Sequence, residues 1–258
     1  MLILYDNPFS PFARKVRLVL GFKNLEYSRV DALALDRIDK LKTINPRGEV
    51  PVLVDGDLCV IGSADIVAYL EDCHPEPPLF PRSSALRARA RHWQRLSDTV
   101  LDAIIHDISI WTWPTLQRKD QPPPGLIEVG TKDLLKFLSI LNGALTDREY
   151  VCDSLSIADL SLFPHLSALK VLGFPVDSDS YPHVSSWYRR LRSMEIVKND
   201  QEYIKKCAAE KLQGENSHYE SQKIVWRGDR IEWLVSKGFY RWWLEELEQG
   251  RAVIPSAL

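Results

Sequence analysis

Ser10 stands where the apolar run Leu2-Ile3-Leu4-Tyr5 gives way to a helix-like pattern, within Asn7-Pro8-Phe9-Ser10-Pro11-Phe12-Ala13-Arg14-Lys15-Val16-Arg17. A hydroxyl residue followed by proline reads as a helix N-cap with proline at the first helical position. The free amides and positive dipole end of such a turn seat an anion. A second segment, Asn45-Pro46-Arg47-Gly48-Glu49-Val50-Pro51-Val52, sets a proline directly before a strand. A cis Val50-Pro51 bond would turn the Val50 amide and carbonyl outward, where an extended peptide pairs with them as an added strand. The third segment, Ile61-Gly62-Ser63-Ala64-Asp65-Ile66-Val67, reads as another N-cap, with Ser63 opening a helix. Two helix starts and one outward backbone meeting at one edge suit a small acidic peptide.

The elements that must position these residues follow from the spacing of apolar positions. Leu2 to Tyr5 predicts a strand, Ser10 onward a helix with Val16, Leu20 and Phe22 on one face, Glu26 to Val30 a strand, and Asp36 to Thr43 a short helix. Val52 to Val54 and Leu58 to Ile61 flank Asp55-Gly56-Asp57, a hairpin signal, and a helix follows from Ser63. The order is that of an α/β thioredoxin-like domain over residues 1–81. Its end is the proline-rich run His74 to Pro81, which cannot continue a helix and reads as a linker. Residues 82–258 show helical patterns alone: Ser84 to about Trp111, a break over Gln121 to Gly125, then Leu126 to Leu145, Ile157 to Leu172 and Tyr181 to Met194. The expectation is an all-α domain with an extended C-terminal segment. That segment carries Trp226, Ile231, Trp233, Phe239, Tyr240, Trp242 and Trp243, which predicts a tail packed on the helices.

Composition narrows the partners. The 258 residues are 45% apolar and 26% charged, as in a packed globular protein. A net charge of −2 gives no pull toward nucleic acid or anionic membrane. The N-terminus has no basic leader and no run approaches the ~20 apolar residues of a span, so the expected location is cytoplasmic. Cys59, Cys73, Cys152 and Cys207 form no Cys-x-x-Cys pair and have no His spaced as a zinc partner, so they read as reduced, mostly buried thiols with no metal. Arg87, Arg89, Arg91 and Arg95 read as a solvated or subunit-facing surface, and Asp98 and Asp102 as exposed helix carboxylates. Arg227-Gly228-Asp229 reads as a chance match to an adhesion tripeptide.

The three front-domain segments, with the linker after them, resemble the glutathione S-transferases, and Ser156-Ile157-Ala158-Asp159-Leu160 resembles that family's capping signature in the back domain. The Ser-Pro-Phe sequence is similar to that of the serine-type branches with a bacterial or tau-like N-terminal motif. The resemblance implies a transferase of alkyl or aryl groups with a detoxification role. Ser10 would be the catalytic hydroxyl that stabilises the glutathione thiolate. Val50 and Pro51 would align the cysteinyl backbone, and Ser63 would bind the γ-glutamyl carboxylate. Glu49 and Gly62 stand at the neighbouring glutathione-binding positions, where relatives carry Lys or Gln and Glu or Asp. Asp65 is the candidate to replace the acid, and Arg47 or a residue of the Asp36 to Lys42 helix the candidate to supply the positive charge. An apolar co-substrate pocket is implied at Phe9, His106, Trp111 and Trp113, and a homodimer is the family's usual assembly. The same scaffold hosts lyases, dehalogenases, isomerases and non-catalytic binding proteins.

Overall fold

A computed structural model describes residues 1–34, 37–112, 121–170, 172–174, 179–211 and 224–255. Strand β1 (Leu2–Asp6), helix α1 (Pro11–Phe22), β2 (Tyr27–Asp31), α2 (Ile38–Ile44), β3 (Val52–Asp55), β4 (Leu58–Ile61) and α3 (Ser63–Cys73) build the first domain. The sheet order is β2-β1-β3-β4, with β1 and β2 parallel and the other two pairings antiparallel. Leu4, Leu53, Val16, Val19, Ile66 and Leu70 fill the space between the sheet and α1 and α3, while Tyr5, Val52 and Leu41 form a smaller cluster on the opposite face beneath α2. This is the thioredoxin-like arrangement that the strand and helix spacing predicts. Helix α2 begins at Ile38, and Asp36, placed in that helix by sequence, lies outside the described residues.

The linker is clamped by a buried charge. Lys23 Nζ is sealed from solvent, 2.7 Å from Glu71 Oε2, and donates to the carbonyls of His74 and Pro77. Glu71 in turn accepts the amides of Leu79 and Phe80. A buried cation is tolerable only when paired and hydrogen-bonded, and these carbonyls and this carboxylate do both.

The second domain opens with α4 (Ser84–Leu96), which passes through a π turn at Ser97–Leu101 into α5 (Asp102–Ser109) and a 3-10 turn ending at Thr112. The predicted single helix is therefore continuous but widened in its middle. Then come α6 (Leu126–Ala144), α7 (Ile157–Ala168), α8 (Pro182–Ser193) and α9 (Glu195–Lys211). Helix α7 is the buried axis of this domain, and its start is the capping box read from sequence. Asp159 accepts from Ser156 N and Oγ, from Val151 N at 3.0 Å and from Trp187 Nε1 at 2.8 Å. Burial raises this carboxyl's pKa, and the four hydrogen bonds oppose the rise.

The C-terminal segment contains β5 (Ile224–Val225), α10 (Gly228–Ser236), α11 (Tyr240–Glu248) and β6 (Ala252–Val253), with β5 and β6 pairing in parallel. As predicted, it packs on the helical domain: Arg230 bonds Asp102, and Trp233 Nε1 donates to Asp133 at 3.0 Å.

Three expectations are corrected. Asp102 is buried and Asp98 nearly so, because Lys15 and Arg230 neutralise them inside the interdomain contact. Cys59 and Cys73 are exposed rather than buried, since the outer face of β4 and the end of α3 carry no cover. Arg89 does not lie free in solvent: it donates to the carbonyls of Val151 and Ala144 and ties the loops before α7 to α4.

Candidate functional site

Strand register brings the three sequence segments together. Tyr5, Val52 and Ile61 stand side by side across β1, β3 and β4. The chain leaving Tyr5 reaches Ser10, the chain entering Val52 comes from Val50-Pro51, and the chain leaving Ile61 reaches Gly62 and Ser63. Adjacent strands lie about 4.8 Å apart, so all three segments share one end of the sheet within about 10 Å. A hydrogen bond from Gly62 N to Pro51 O, 3.3 Å, ties two of them directly.

Ser10 is the N-cap of α1, and its Oγ accepts the Ala13 amide at 3.3 Å. Its own O–H has no acceptor among the described residues, and the side chain is only partly buried. A hydroxyl used in this way caps the helix and still has a proton to donate. The loop before it is held from below: Arg17 donates to Asn7 O and to Pro8 O at 3.0 Å, while pairing with Asp6 and, at 2.7 Å, with Asp200 of α9. Burial raises the Asp6 carboxyl, with Arg17 opposing. Sequence reading passed over Arg17, although a basic residue on the α1 face that also carries Ala13 and Leu20 is the available signal.

The Val50-Pro51 peptide is cis, as the peptide-edge reading required. The Val50 N–H and C=O make no hydrogen bond among the described residues. The preceding loop is braced by Asn45, whose side chain donates to Glu49 O at 2.8 Å and accepts Arg47 N at 3.1 Å. Glu49 and Arg47 face each other in a two-point contact, Nε to Oε2 at 2.9 Å and Nη2 to Oε1 at 3.2 Å. Arg47 thus neutralises Glu49 and is not left over as a free replacement cation.

The N-cap read at this segment is corrected: Gly62 holds the cap position and Ser63 is already helical, so α3 starts without a side-chain cap and the first-turn amides of Ser63, Ala64 and Asp65 have no partner among the described residues. Ser63 itself is buried at that start. Gly62 sits at φ 93°, a backbone region that side chains rarely adopt, which accounts for glycine where an acid was the pattern. A Cβ at Gly62 would lie 3.5 Å from Asp65 Oδ2. The Asp65 carboxylate therefore occupies the neighbourhood of the missing acid.

The second-pocket residues are differently placed. Phe9 is partly buried beside Ser10, its amide held by Asn7 Oδ1 at 3.0 Å. His106 does not face open space: it is buried, its ring 5.4 Å edge-on to Trp226, with Nε2 3.4 Å from Arg230. Trp111 packs on Trp242 at 5.6 Å between ring centroids. Trp113 lies outside the described residues. The tail, whose placement here no local pattern announces, covers this side of α5. No helix of the described residues is long and apolar enough to cross a membrane, and none of their His, Cys, Asp and Glu side chains group as a metal site.

Comparison with known proteins agrees with this geometry. Residues 4–78 match the glutathione S-transferase N-terminal domain and residues 107–190 the C-terminal domain of the same family. Glutathione S-transferase Z1 of Arabidopsis thaliana is 30% identical over 76% of this chain and 89% of its own. FtsZ-localized protein A of Caulobacter vibrioides is 27% identical over 74% of this chain and 86% of its own. The crystal structure of a glutathione S-transferase from Rhodospirillum rubrum F11 superposes with a TM-score of 0.67 at 28% identity, over 78% of this chain and 91% of that one. With its thioredoxin-like sheet, its capped buried helix and these matches across both domains, this chain belongs to the glutathione S-transferase family.

Proposed function

We propose that the protein is a glutathione transferase that activates the glutathione thiol for attack on an apolar electrophilic co-substrate. The observation that carries this reading is Ser10, whose O–H is undonated at the sheet end where Val50 and the α3 amides are also unpaired. Glutathione would lie along Val50-Pro51 as an added strand, with the γ-glutamyl carboxylate on the first turn of α3 beside Ser63. Its sulfur would then reach Ser10.

A free thiol has a pKa of about 8.5, so near neutrality little of it is thiolate. A donated hydrogen bond and the positive end of α1 favour the charged form. The thiol proton passes to solvent, the sulfur forms a bond to the electrophilic carbon, and the leaving group departs with the electron pair of the broken bond. Ser10 forms no covalent bond in this scheme.

The test is Ser10→Ala followed by thiolate absorbance of bound glutathione across pH. The expected result is a thiol pKa raised toward its solution value and conjugation slowed at least tenfold, with glutathione still bound. Full activity in a folded variant would remove Ser10 from the mechanism.

A second reading, a binding protein without catalysis, is favoured by one observation: the tail fills the side of α5 against His106 and Trp111. FtsZ-localized protein A is named for a place rather than a reaction. Calorimetric titration with glutathione separates the readings, since no heat at millimolar ligand favours the second.

A further inference from the structure

We propose that Arg227, at the entrance to the tail helix α10, is a specificity residue that selects co-substrates bearing a carboxylate; this rests on the transferase reading above. The guanidinium carbon lies 4.4 Å from the centroid of the Phe12 ring. Phe12 is in the first turn of α1, two residues beyond Ser10, so the cation stands over the same helical turn as the proposed sulfur-binding hydroxyl. Arg227 belongs to a segment outside both matched domain regions, so it marks what this chain adds to the shared scaffold.

Its bonding state points to a missing anion. A guanidinium has five N–H donors in a planar fork. The Arg227 guanidinium donates no hydrogen bond among the described residues, and its one ion contact, Asp229 Oδ1 at 3.5 Å, falls outside donor geometry. The side chain is only 28% exposed, so water satisfies the fork incompletely. The other arginines packed between the two domains and the tail are fully engaged: Arg230 grips Asp102 with two hydrogen bonds, Arg17 grips Asp6 and Asp200, and Arg14 grips Asp200. Lys15, which lies 5.9 Å from the same Phe12 ring, is likewise consumed by Asp98. Among the described residues, Arg227 is the cation at this turn with donors to spare.

A ring beneath a guanidinium occupies its flat face and leaves the in-plane edge open. A carboxylate matches that edge with two parallel hydrogen bonds. The dipole at the α1 N-terminus adds to the attraction for a negative group. An acidic aromatic electrophile held at its carboxylate by Arg227 would lie at the first turn of α1, the turn that Ser10 caps.

The experiment compares 4-chloro-3,5-dinitrobenzoate with its neutral amide, on the full chain and on Arg227→Gln and Arg227→Lys. In the reaction the glutathione sulfur bonds to the ring carbon, chloride leaves with the C–Cl electron pair, and the thiol proton goes to solvent. We expect the ratio of kcat/KM for carboxylate over amide to fall at least tenfold in Arg227→Gln and to recover in part in Arg227→Lys. An equal fall on both substrates, or a rise confined to the KM for glutathione, would overturn the assignment. Binding of unreactive 3-nitrobenzoate against 3-nitrobenzamide, followed by calorimetry, is the second measurement. Preference for the carboxylate that is lost in Arg227→Gln supports the assignment even if the protein transfers nothing, in which case the transferase reading alone fails. Equal binding of the two by the wild-type chain overturns it.

Discussion

Arg230 of α10 holds Asp102 of α5 through two hydrogen bonds, Nε to Oδ2 at 2.8 Å and Nη2 to Oδ1 at 3.2 Å. Burial alone would raise the Asp102 carboxyl, but Arg230 and His165 outweigh it and hold the group well below the usual carboxylate range. The pair fastens the tail to the helical domain, so each partner is costly to remove singly. Loss of one member of a buried ion pair leaves the other charge desolvated, at about 3–5 kcal/mol. Arg230→Met and Asp102→Leu are therefore each expected to lower unfolding free energy by about that amount in denaturant titrations. The double replacement Arg230→Met with Asp102→Leu is expected to cost less than the sum. Additive losses would show that the two side chains act independently.

His106, against the same guanidinium, predicts how stability depends on pH. Burial pushes its imidazole well below the ordinary value, with Arg230 and Arg227 adding and Asp102 opposing. A histidine whose folded pKa lies below the unfolded value of about 6.5 takes up its proton first in the unfolded chain. The contribution of His106 to stability therefore falls as pH drops below about 6.5, by up to ~1.4 kcal/mol per pH unit for one proton, while the raised carboxyl of Asp107 beside it acts in the opposite sense. Asp102 adds no slope in that window: its depressed pKa gives stability that is complete above about pH 4 and is lost only as pH falls toward the folded value. His106→Gln is expected to flatten the curve between about pH 6.5 and 5. Parallel curves for the two proteins would rule out His106 as the group responsible.

How far the site could be read beforehand depended on the distance over which each feature acts. The Ser10 cap, the hairpin around Gly56 and the Ser156 capping box involve residues within a few positions of one another, and all three stand where local chemistry put them, while α3 starts at Ser63 as read but with Gly62 in place of a hydroxyl cap. Arg17 and Asp200 are 183 residues apart, and Arg230 and Asp102 are 128 apart. Within Pro11–Phe22 the one hint that Arg17 is buried is its place on the face of Ala13 and Leu20, and nothing local names Asp200 as its partner. For the same reason Asp98 and Asp102 resembled an ordinary charged helix face, and His106 resembled a pocket wall. Asp98 meets Lys15 of α1, and Asp102 and His106 meet Arg230 and Trp226 of the tail, partners that are reached only through the tertiary fold.

Asp65 and Gly62 give the last prediction. With φ at 93°, Gly62 leaves the first turn of α3 without a side chain at the residue before Ser63, and the Asp65 carboxylate stands 3.5 Å from where that side chain would begin. The γ-glutamyl end of glutathione carries an ammonium as well as a carboxylate. The α3 amides suit the carboxylate, and an acid beside them suits the ammonium. Asp65→Asn is expected to weaken glutathione about tenfold, equivalent to about 1.4 kcal/mol. Its effect on folding is smaller, because an acid in an exposed first turn contributes about 0.3–1 kcal/mol. Calorimetry with glutathione and with its analogue lacking the γ-glutamyl amino group checks the assignment. The variant and the wild-type chain should bind the analogue alike, since the contact that Asp65 makes is then absent from both. Unchanged affinity of the variant for intact glutathione would show that Asp65 does not stand in for the acid that Gly62 lacks.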